Sequence, residues 1–443
     1  MGRAPAAVSL DRLRLPRLLP DLSPFRDSPD LRRVVGGNFV ANMGAQGTLV
    51  ALPFQLYVLT HSALLVGLLG AAELAPLVAM SLLGGAIADR MDRRRLLLLD
   101  QAGVFLVAVG LVAAALAGRP SVLVLYVLGG LLAGFNALQN VLWSAIIPNL
   151  IDRERLPRAL AVNYGLFALT MVLGPGFGGL VIGAFGVQSA YAVNAACCLA
   201  VVIVVFPIAA QRPPAGIVHE NVLRSIGDGL RYVRGNRALI GSFAIDLVAM
   251  TFGMPRALFA VLAIGVYHAG AAGTGVLYAS VSAGATVAAL LTGWLNHARR
   301  LGVIVIWAVL AWGAAIAVAG LMGSLWLAAA MLAIAGAADS VSAVCRSTIN
   351  QTVTPDHMRG RMSAVFSLVV SGGPRLGDIE SGTVAGAGGV RFSVVSGGLL
   401  CMLGVAGIVV GFPQLARYDA ADYRYGPLGE APGAAAAQAV EVS

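Results

Sequence analysis

The chain has 443 residues and not one lysine; all 30 of its basic residues are arginine. Charged side chains of both signs make up only 12% of the sequence, roughly half the share of an ordinary soluble domain. With 58% of residues hydrophobic, a soluble protein of this length could not cover its surface with polar groups. The shortage excludes a soluble enzyme, a disordered chain and a nucleic-acid binder, despite a formal charge of +9. Cysteine is scarce too. Cys197, Cys198, Cys345 and Cys401 lie in apolar runs without metal-ligand spacing and are expected as small core residues. The histidines (His61, His219, His268, His297, His357) fall in loops or at run ends. Neither a metal nor a cofactor is expected, and no Gly-x-x-x-x-Gly-Lys nucleotide loop occurs.

What is present in abundance is long apolar sequence. About 20 apolar residues cross a bilayer as a helix, and twelve runs qualify: 34–59, 63–88, 96–117, 121–147, 162–184, 188–209, 238–264, 271–295, 302–322, 325–350, 363–386 and 392–412. They are too long, and too poor in alternation, for barrel strands. The predicted fold is therefore an all-α polytopic membrane protein with twelve transmembrane helices. The ends differ in kind. Residues 1–33 mix Leu with Arg and Pro and lack a signal-peptide core, giving a basic tail that is either surface-bound or disordered. Residues 413–443 end in Pro, Gly and Ala and are expected as a disordered tail.

Arginine placement orients the chain. With the N-terminus inside, inside segments hold 25 arginines and outside loops only Arg119 and Arg391. By the positive-inside rule both termini are cytoplasmic, as expected in a plasma membrane. The longest internal hydrophilic segment, 210–237, separates a half at 34–209 from a half at 238–412. The halves echo each other. Gly85-Ala86-Ile87-Ala88-Asp89-Arg90-Met91-Asp92-Arg93-Arg94 follows run 2, and Gly293-Trp294-Leu295-Asn296-His297-Ala298-Arg299-Arg300 follows run 8. Two parallel six-helix repeats are the layout of many secondary transporters.

The stretch Gly85-x-x-x-Asp89-Arg90-x-Asp92-Arg93-Arg94 pairs a small residue, which permits close helix approach, with a carboxylate and several guanidiniums. It resembles the signature after the second helix of the major facilitator superfamily, departing at Asp92, where that family usually has Gly. The resemblance implies a cytoplasmic latch between halves, with Asp89 near the start of run 11 and Arg90, Arg93 and Arg94 completing it. Gly174-Pro175-Gly176-Phe177-Gly178-Gly179 in run 5 combines a missing backbone donor with glycines suited to kinking and tight packing. It is similar to the antiporter motif of the same family, with Thr170 where Gly is usual. Gly130, ahead of Ala133-Gly134, stands where many proton-coupled exporters of the family carry Arg. Over residues 30–412 the chain looks most like the enterobactin-type siderophore exporter subgroup. The stretches that carry this are Thr60-His61-Ser62, Val66-Gly67-Leu68, Ala88-Asp89-Arg90, Gln351-Thr352-Val353-Thr354-Pro355 and Gly360-Arg361.

Charge inside a bilayer is expensive, about 2.5–3.5 kcal/mol per residue on insertion scales, so each instance is a functional candidate. Asn38, Asn42 and Gln46 share one face of run 1, and Asn136, Gln139 and Asn140 cluster in run 4. They are candidates for a substrate cavity, or for interhelical hydrogen bonds. Asp246 shares run 7 with Arg256, and Asp339 shares run 10 with Arg346. A desolvated carboxylate can hold a proton near neutral pH, so each aspartate either couples protons or is neutralised by an arginine. Glu73 in run 2 and Asp378 and Glu380 in run 11 are further proton candidates; Arg375 lies three residues from Asp378, near enough for a structural pair. Runs 3, 9 and 12 are read as nearly free of such residues. In the superfamily, runs 1, 4, 7 and 10 line the central cavity, the same runs that the polar residues favour.

These features predict secondary active export of a small amphipathic molecule by alternating access, from a monomer in a lipid bilayer. The resemblance implies a siderophore or drug-like substrate and protons as the coupling ion. An importer on the same fold is the alternative. A polytopic lipid-modifying enzyme would need an acid–base or metal constellation at the interface, and the loops offer none.

Overall fold

The computed structural model of the chain describes Phe25 and residues 28–211 and 222–420. Most of the two tails and the stretch 212–221 of the central segment lie outside the described residues. All twelve apolar runs are helical, and no strand occurs among the described residues. Runs 1–6 form α1 (Pro29–Thr60), α2 (Ala63–Ala88), α3 (Arg93–Leu116), α4 (Val122–Ile146), α5 (Leu156–Phe185) and α6 (Val187–Val205). The central segment contributes α7 (Val222–Gly235), and run 7 is split into α8 (Arg237–Phe252) and α9 (Leu258–Gly265). Runs 8–12 form α10 (Gly270–Leu291), α11 (Leu301–Leu321), α12 (Leu325–Val353), α13 (Arg359–Gly388) and α14 (Val390–Gly411), followed by the short α15 (Pro413–Arg417). Among the described residues, nine helices are long and apolar enough by themselves to cross a membrane. The other three runs are α1 and α13, which are more polar, and the split run 7.

Local chemistry sets the helix ends. Ser28 and Ser62 cap α1 and α2 by accepting from the amides of Leu31 and Leu65. Between them His61, at φ 49°, ends α1 in the left-handed conformation, so the chain reverses in two residues. Asp92 explains the departure from the family pattern. It caps α3 by accepting from Arg94 N (3.0 Å) and also accepts from Gln211 N (2.9 Å), tying the α2–α3 loop to the chain beyond α6. The central segment, read from sequence as a hydrophilic loop, contains a surface helix. Ile226, Gly229 and Val233 bury one face of α7 while Arg231 and Arg234 stay in solvent. Asp228 pairs with Arg361 at 3.4 Å, and the Tyr232 hydroxyl donates to Val353 O, which fastens α7 beside the start of α13.

Helices α1–α6 pack chiefly among themselves and α8–α14 likewise, giving two bundles. The bundles meet along two seams, α2 against α13 and α5 against α10. Both are built on glycine. A Cβ at Gly67 would lie 2.6 Å from Gly382 Cα, and one at Gly179 would lie 2.6 Å from Ala271 O and 3.0 Å from Gly275 Cα. These contacts sit within two turns of the helix ends farthest from Pro29 and Arg417. Toward the end that carries Pro29, Arg417 and α7, a Cβ at Gly85, Gly165 or Gly360 would meet nothing within 4 Å. The close approach expected at Gly85 is therefore not made, and the backbone-to-backbone contacts between the bundles lie toward the other end.

Leucine at Gly179 or Gly382 has to displace backbone, an overpacking worth about 1–3 kcal/mol. The expected result is a chain that still inserts but opens at the closed end. It is read as faster labelling of a cysteine placed at Val66 (1% exposed) by a water-soluble thiol reagent. Unchanged labelling in both variants would show that the seams do not hold that end shut.

Candidate substrate site

The split in run 7 organises the site. Pro255 supplies no backbone donor, and the residue before a proline disfavours helical geometry. The helix therefore stops at Phe252 and restarts at Leu258. Broken backbone is tolerated at membrane depth where protein partners satisfy it. Here the Arg256 carbonyl accepts from the Tyr278 hydroxyl (3.0 Å), and Ala257 N donates to Asp378 Oδ1 (3.0 Å). The break carries Arg256 to Asp378, at 3.5 Å. Asp378 also faces Arg375 at 3.7 Å, and Arg375 pairs with Glu73 at 2.8 Å. Two acids and two arginines thus form one neutral quartet. Glu73 comes from the first bundle and the other three residues from the second, so the pair at 2.8 Å crosses between bundles.

Two cavity lobes adjoin the quartet, and both are walled by Leu49, Arg256 and Tyr278. The first has room for about 70 Å³ and is the more polar of the two, with all four quartet residues and Asn136 in its wall among apolar neighbours. The second has room for about 170 Å³ and is mainly apolar, lined by Met171, Met254, Phe259, Trp312 and Ile316, with Gln46 at its side. Each is smaller than the roughly 300–1,000 Å³ of a small-molecule site. Within the second bundle, Arg346 pairs with Asp246 at 2.9 Å and Asp339 at 3.6 Å. Asp246 and Arg346 are buried, while the Asp339 side chain is 30% exposed.

The family described as transmembrane secretion effector, of the major facilitator superfamily, matches residues 20–432. The chain belongs to this family. It is 31% identical to the enterobactin exporter EntS of Citrobacter koseri over 86% of this chain and 93% of that one. The Shigella boydii exporter of the same name is also 31% identical, over 78% of this chain and 83% of its own length. Among solved structures, a bacterial homologue of the lysosomal transporter Spinster superposes with a TM-score of 0.70. That match covers 91% of this chain and 99% of the other at 16% identity. A POT family transporter gives 0.70 at 12% identity, covering 88% and 97%. The protein is a major facilitator transporter and not an enzyme.

Placed on this transporter, the sequence candidates separate. Gln46 and Asn136 reach the cavity. Asn38 instead donates to Asn163 Oδ1 across to α5 (3.0 Å), and Asn42 donates back to Asn38. Gln139 is turned away from the cavity, accepting from Gln101 Nε2 of α3 at 3.0 Å; Asn140 is exposed. Gly174 and Gly178 press α5 onto α1 at Gln46 and Gly47, while Pro175 and Gly179 meet α10. A side chain at Gly130 would start 2.8 Å from Ala72 O, so the arginine of related exporters has no room there. In the loop signature, Asp89 pairs with Arg93 (3.5 Å), which also donates to Ala145 O, and Arg94 stacks over Phe206. Those contacts brace the first bundle internally; Arg90 is exposed.

Two expectations need correction, and one candidate stands by itself. Asp246 and Asp339 are not each matched with the arginine of their own run: both share Arg346, because the break carries Arg256 away to Asp378. Glu380 stands apart from the quartet, its Oε2 buried without a hydrogen-bond partner. Run 3 is not free of buried polar groups. Asp100 and Gln101 are each 1% exposed, and Gln101 Nε2 donates to Asp100 Oδ2 at 3.3 Å. A carboxylate four residues into an apolar run was the available signal.

The shared guanidinium gives an asymmetric expectation. Asp246→Asn or Asp339→Asn leaves Arg346 with one carboxylate, so each single variant should reach the membrane at near the parent's level. The double variant strands a buried guanidinium at a cost of about 3–5 kcal/mol, and folded protein should largely vanish from size-exclusion profiles in detergent. Equal recovery of singles and double would refute the sharing.

Proposed function

We propose that the chain exports a small amphipathic organic molecule of the siderophore or drug-like class from the cytoplasm. Transport proceeds by alternating access of the two bundles, driven by protons. The observation that carries this reading is the paired cavity at the bundle junction, one lobe charged and the other lined by methionine and aromatic side chains. An amphipathic molecule satisfies both lobes at once; a sugar or an inorganic ion would leave the apolar lobe unmatched. Similarity to enterobactin exporters supports the direction and the substrate class.

The arginine bias supports a topology with both termini and α7 on the cytoplasmic side of a plasma membrane. The closed seams then face outward, and the cavity opens inward, where an exporter loads. The three more polar runs cross the bilayer too, completing twelve spans in two repeats of a monomer. For protons as the coupling ion, support comes from acids held at membrane depth: Glu73 and Asp378 in the quartet, Asp246 and Asp339 around one arginine. Two carboxylates on one guanidinium leave a surplus negative charge that a proton cancels.

In inside-out vesicles, an imposed proton gradient should drive accumulation of one or more compounds from a panel of siderophores and amphipathic dyes, and a protonophore should abolish it. Phe259→Ala, which empties part of the apolar lobe, should raise KM several-fold at unchanged protein level. Absence of gradient-dependent accumulation across the panel would overturn the reading.

A further inference from the structure

The quartet has a property that the pair of aspartates on Arg346 lacks: separating the bundles divides its charge unequally. Glu73 belongs to α2 of the first bundle, whereas Arg256, Arg375 and Asp378 belong to the second. Together the four are neutral. Parted, the second bundle keeps a net positive charge and the first keeps one carboxylate. The charged groups that face Glu73 are Arg375 and Asp378 from α13 and Arg256 from the break before α9. From α10 Tyr278 shares the cavity wall, and α4 presents Gly129, Leu132, Ala133 and Asn136 there, none of them charged. No charged residue of α1 or α4 joins that wall. On opening, Glu73 has no cation of its own bundle beside it in this cavity. The pair also lies along the α2–α13 helices that make one of the closed seams: a Cβ at Gly70 would touch Arg375 O at 2.8 Å, one turn from Glu73.

Charge balance then states what must happen for the outer end to open. A bare carboxylate and a bare guanidinium at membrane depth are both costly, so each needs a replacement partner. A proton serves the carboxylate. An acidic group on the transported molecule serves the guanidinium, within reach of the polar lobe that both arginines wall.

We propose that Arg375 is held alternately by Glu73 and by an acidic group of the substrate, so that the ion pair between bundles is both the lock on the outer end and the point of proton exchange. An acidic substrate entering from the cytoplasm displaces Glu73 from Arg375 and releases the lock. As the outer end opens, Glu73 takes a proton from the external side; the substrate anion then leaves, and Asp378 remains beside Arg375. When the bundles close again, Glu73 re-forms its pair with Arg375 and gives that proton to the cytoplasmic cavity. One proton enters for each acidic group carried out, with no other reactant. This deepens the export reading and rests on it for the identity and direction of the cargo; the lock itself does not.

The lock is tested without any substrate. Leu64 Cβ would lie 3.1 Å from a Cβ at Gly386, so the pair Leu64→Cys and Gly386→Cys should form a disulfide while the outer end is closed. The parent chain, whose four cysteines are unpaired, is the blank. Adding Glu73→Gln to that pair should lower the crosslinking yield by more than half. Lowering external pH should lower it in the Glu73 form and have no effect in the Gln form, which assigns the response to Glu73 over the other acids. If Glu73→Gln fails to insert, the pH series on the Glu73 form and on Glu73→Asp still decides, since both should respond. Crosslinking indifferent to pH and to Glu73→Gln overturns the proposal. In the transport arm, Glu73→Gln should lose gradient-driven accumulation of an acidic panel compound while keeping substrate-for-substrate exchange. That compound should lower crosslinking and its neutral methyl ester should not. A lock that behaves as stated while no compound is exported sinks the export reading alone; export by the parent with an unresponsive crosslink sinks the lock alone.

Discussion

At the closed end the two bundles touch backbone to backbone, and that contact fixes how the rest of the molecule is arranged. Lipid is as apolar as leucine, so helices in a bilayer gain little by hiding side chains from it. What holds α2 to α13 and α5 to α10 is close packing, and the spacing at Gly67–Gly382 and Gly179–Gly275 leaves no room for a side chain. The proximity of those helices in turn brings Glu73 within 2.8 Å of Arg375. A bulkier seam would set the two charges apart, and the quartet would no longer be neutral as a unit.

The break in run 7 is the second organising feature, and it works through unsatisfied backbone. An unbroken helix would have used the Arg256 carbonyl and the Ala257 amide in its own ladder. Interrupted, it presents one to Tyr278 and the other to Asp378. Asp378 thus accepts from backbone and faces two guanidiniums, while Arg346 is left as the shared partner of Asp246 and Asp339. The polar and apolar cavity lobes meet at this irregular stretch because it displays both Arg256 and the neighbouring Met254.

The helices themselves were legible in the sequence because a span is a matter of length and apolarity, and nine of the helices carry both among the described residues. The loop capped by Asp92 and the glycines of run 5 were legible as motifs, although their contacts were not. Facing was harder. Gln139 and Asn136 lie three residues apart in one polar cluster, yet one bonds to Gln101 inside the first bundle and the other reaches the cavity. Polarity says that a residue needs a partner; only the neighbouring helix says which. Asp246 was read beside Arg256 because they share a run, and ten residues of sequence proximity proved a poor guide once the helix broke between them. Gly130 is the converse case, a residue whose meaning came from the Ala72 carbonyl pressed against it. The helix at Val222–Gly235 escaped notice because it is short and lies in a segment of mixed charge.

The arginines at membrane depth have a consequence of their own. A guanidinium does not give up its proton in a protein, so Arg256, Arg346 and Arg375 are permanent positive charges, whatever surrounds them. A lysine in any of these places could have shed its charge when its partner moved away. Here that freedom is missing, and every adjustment of charge at this depth falls to the acids or to an incoming anion. The membrane interior of this protein resembles a board with fixed pegs, on which only the negative pieces move.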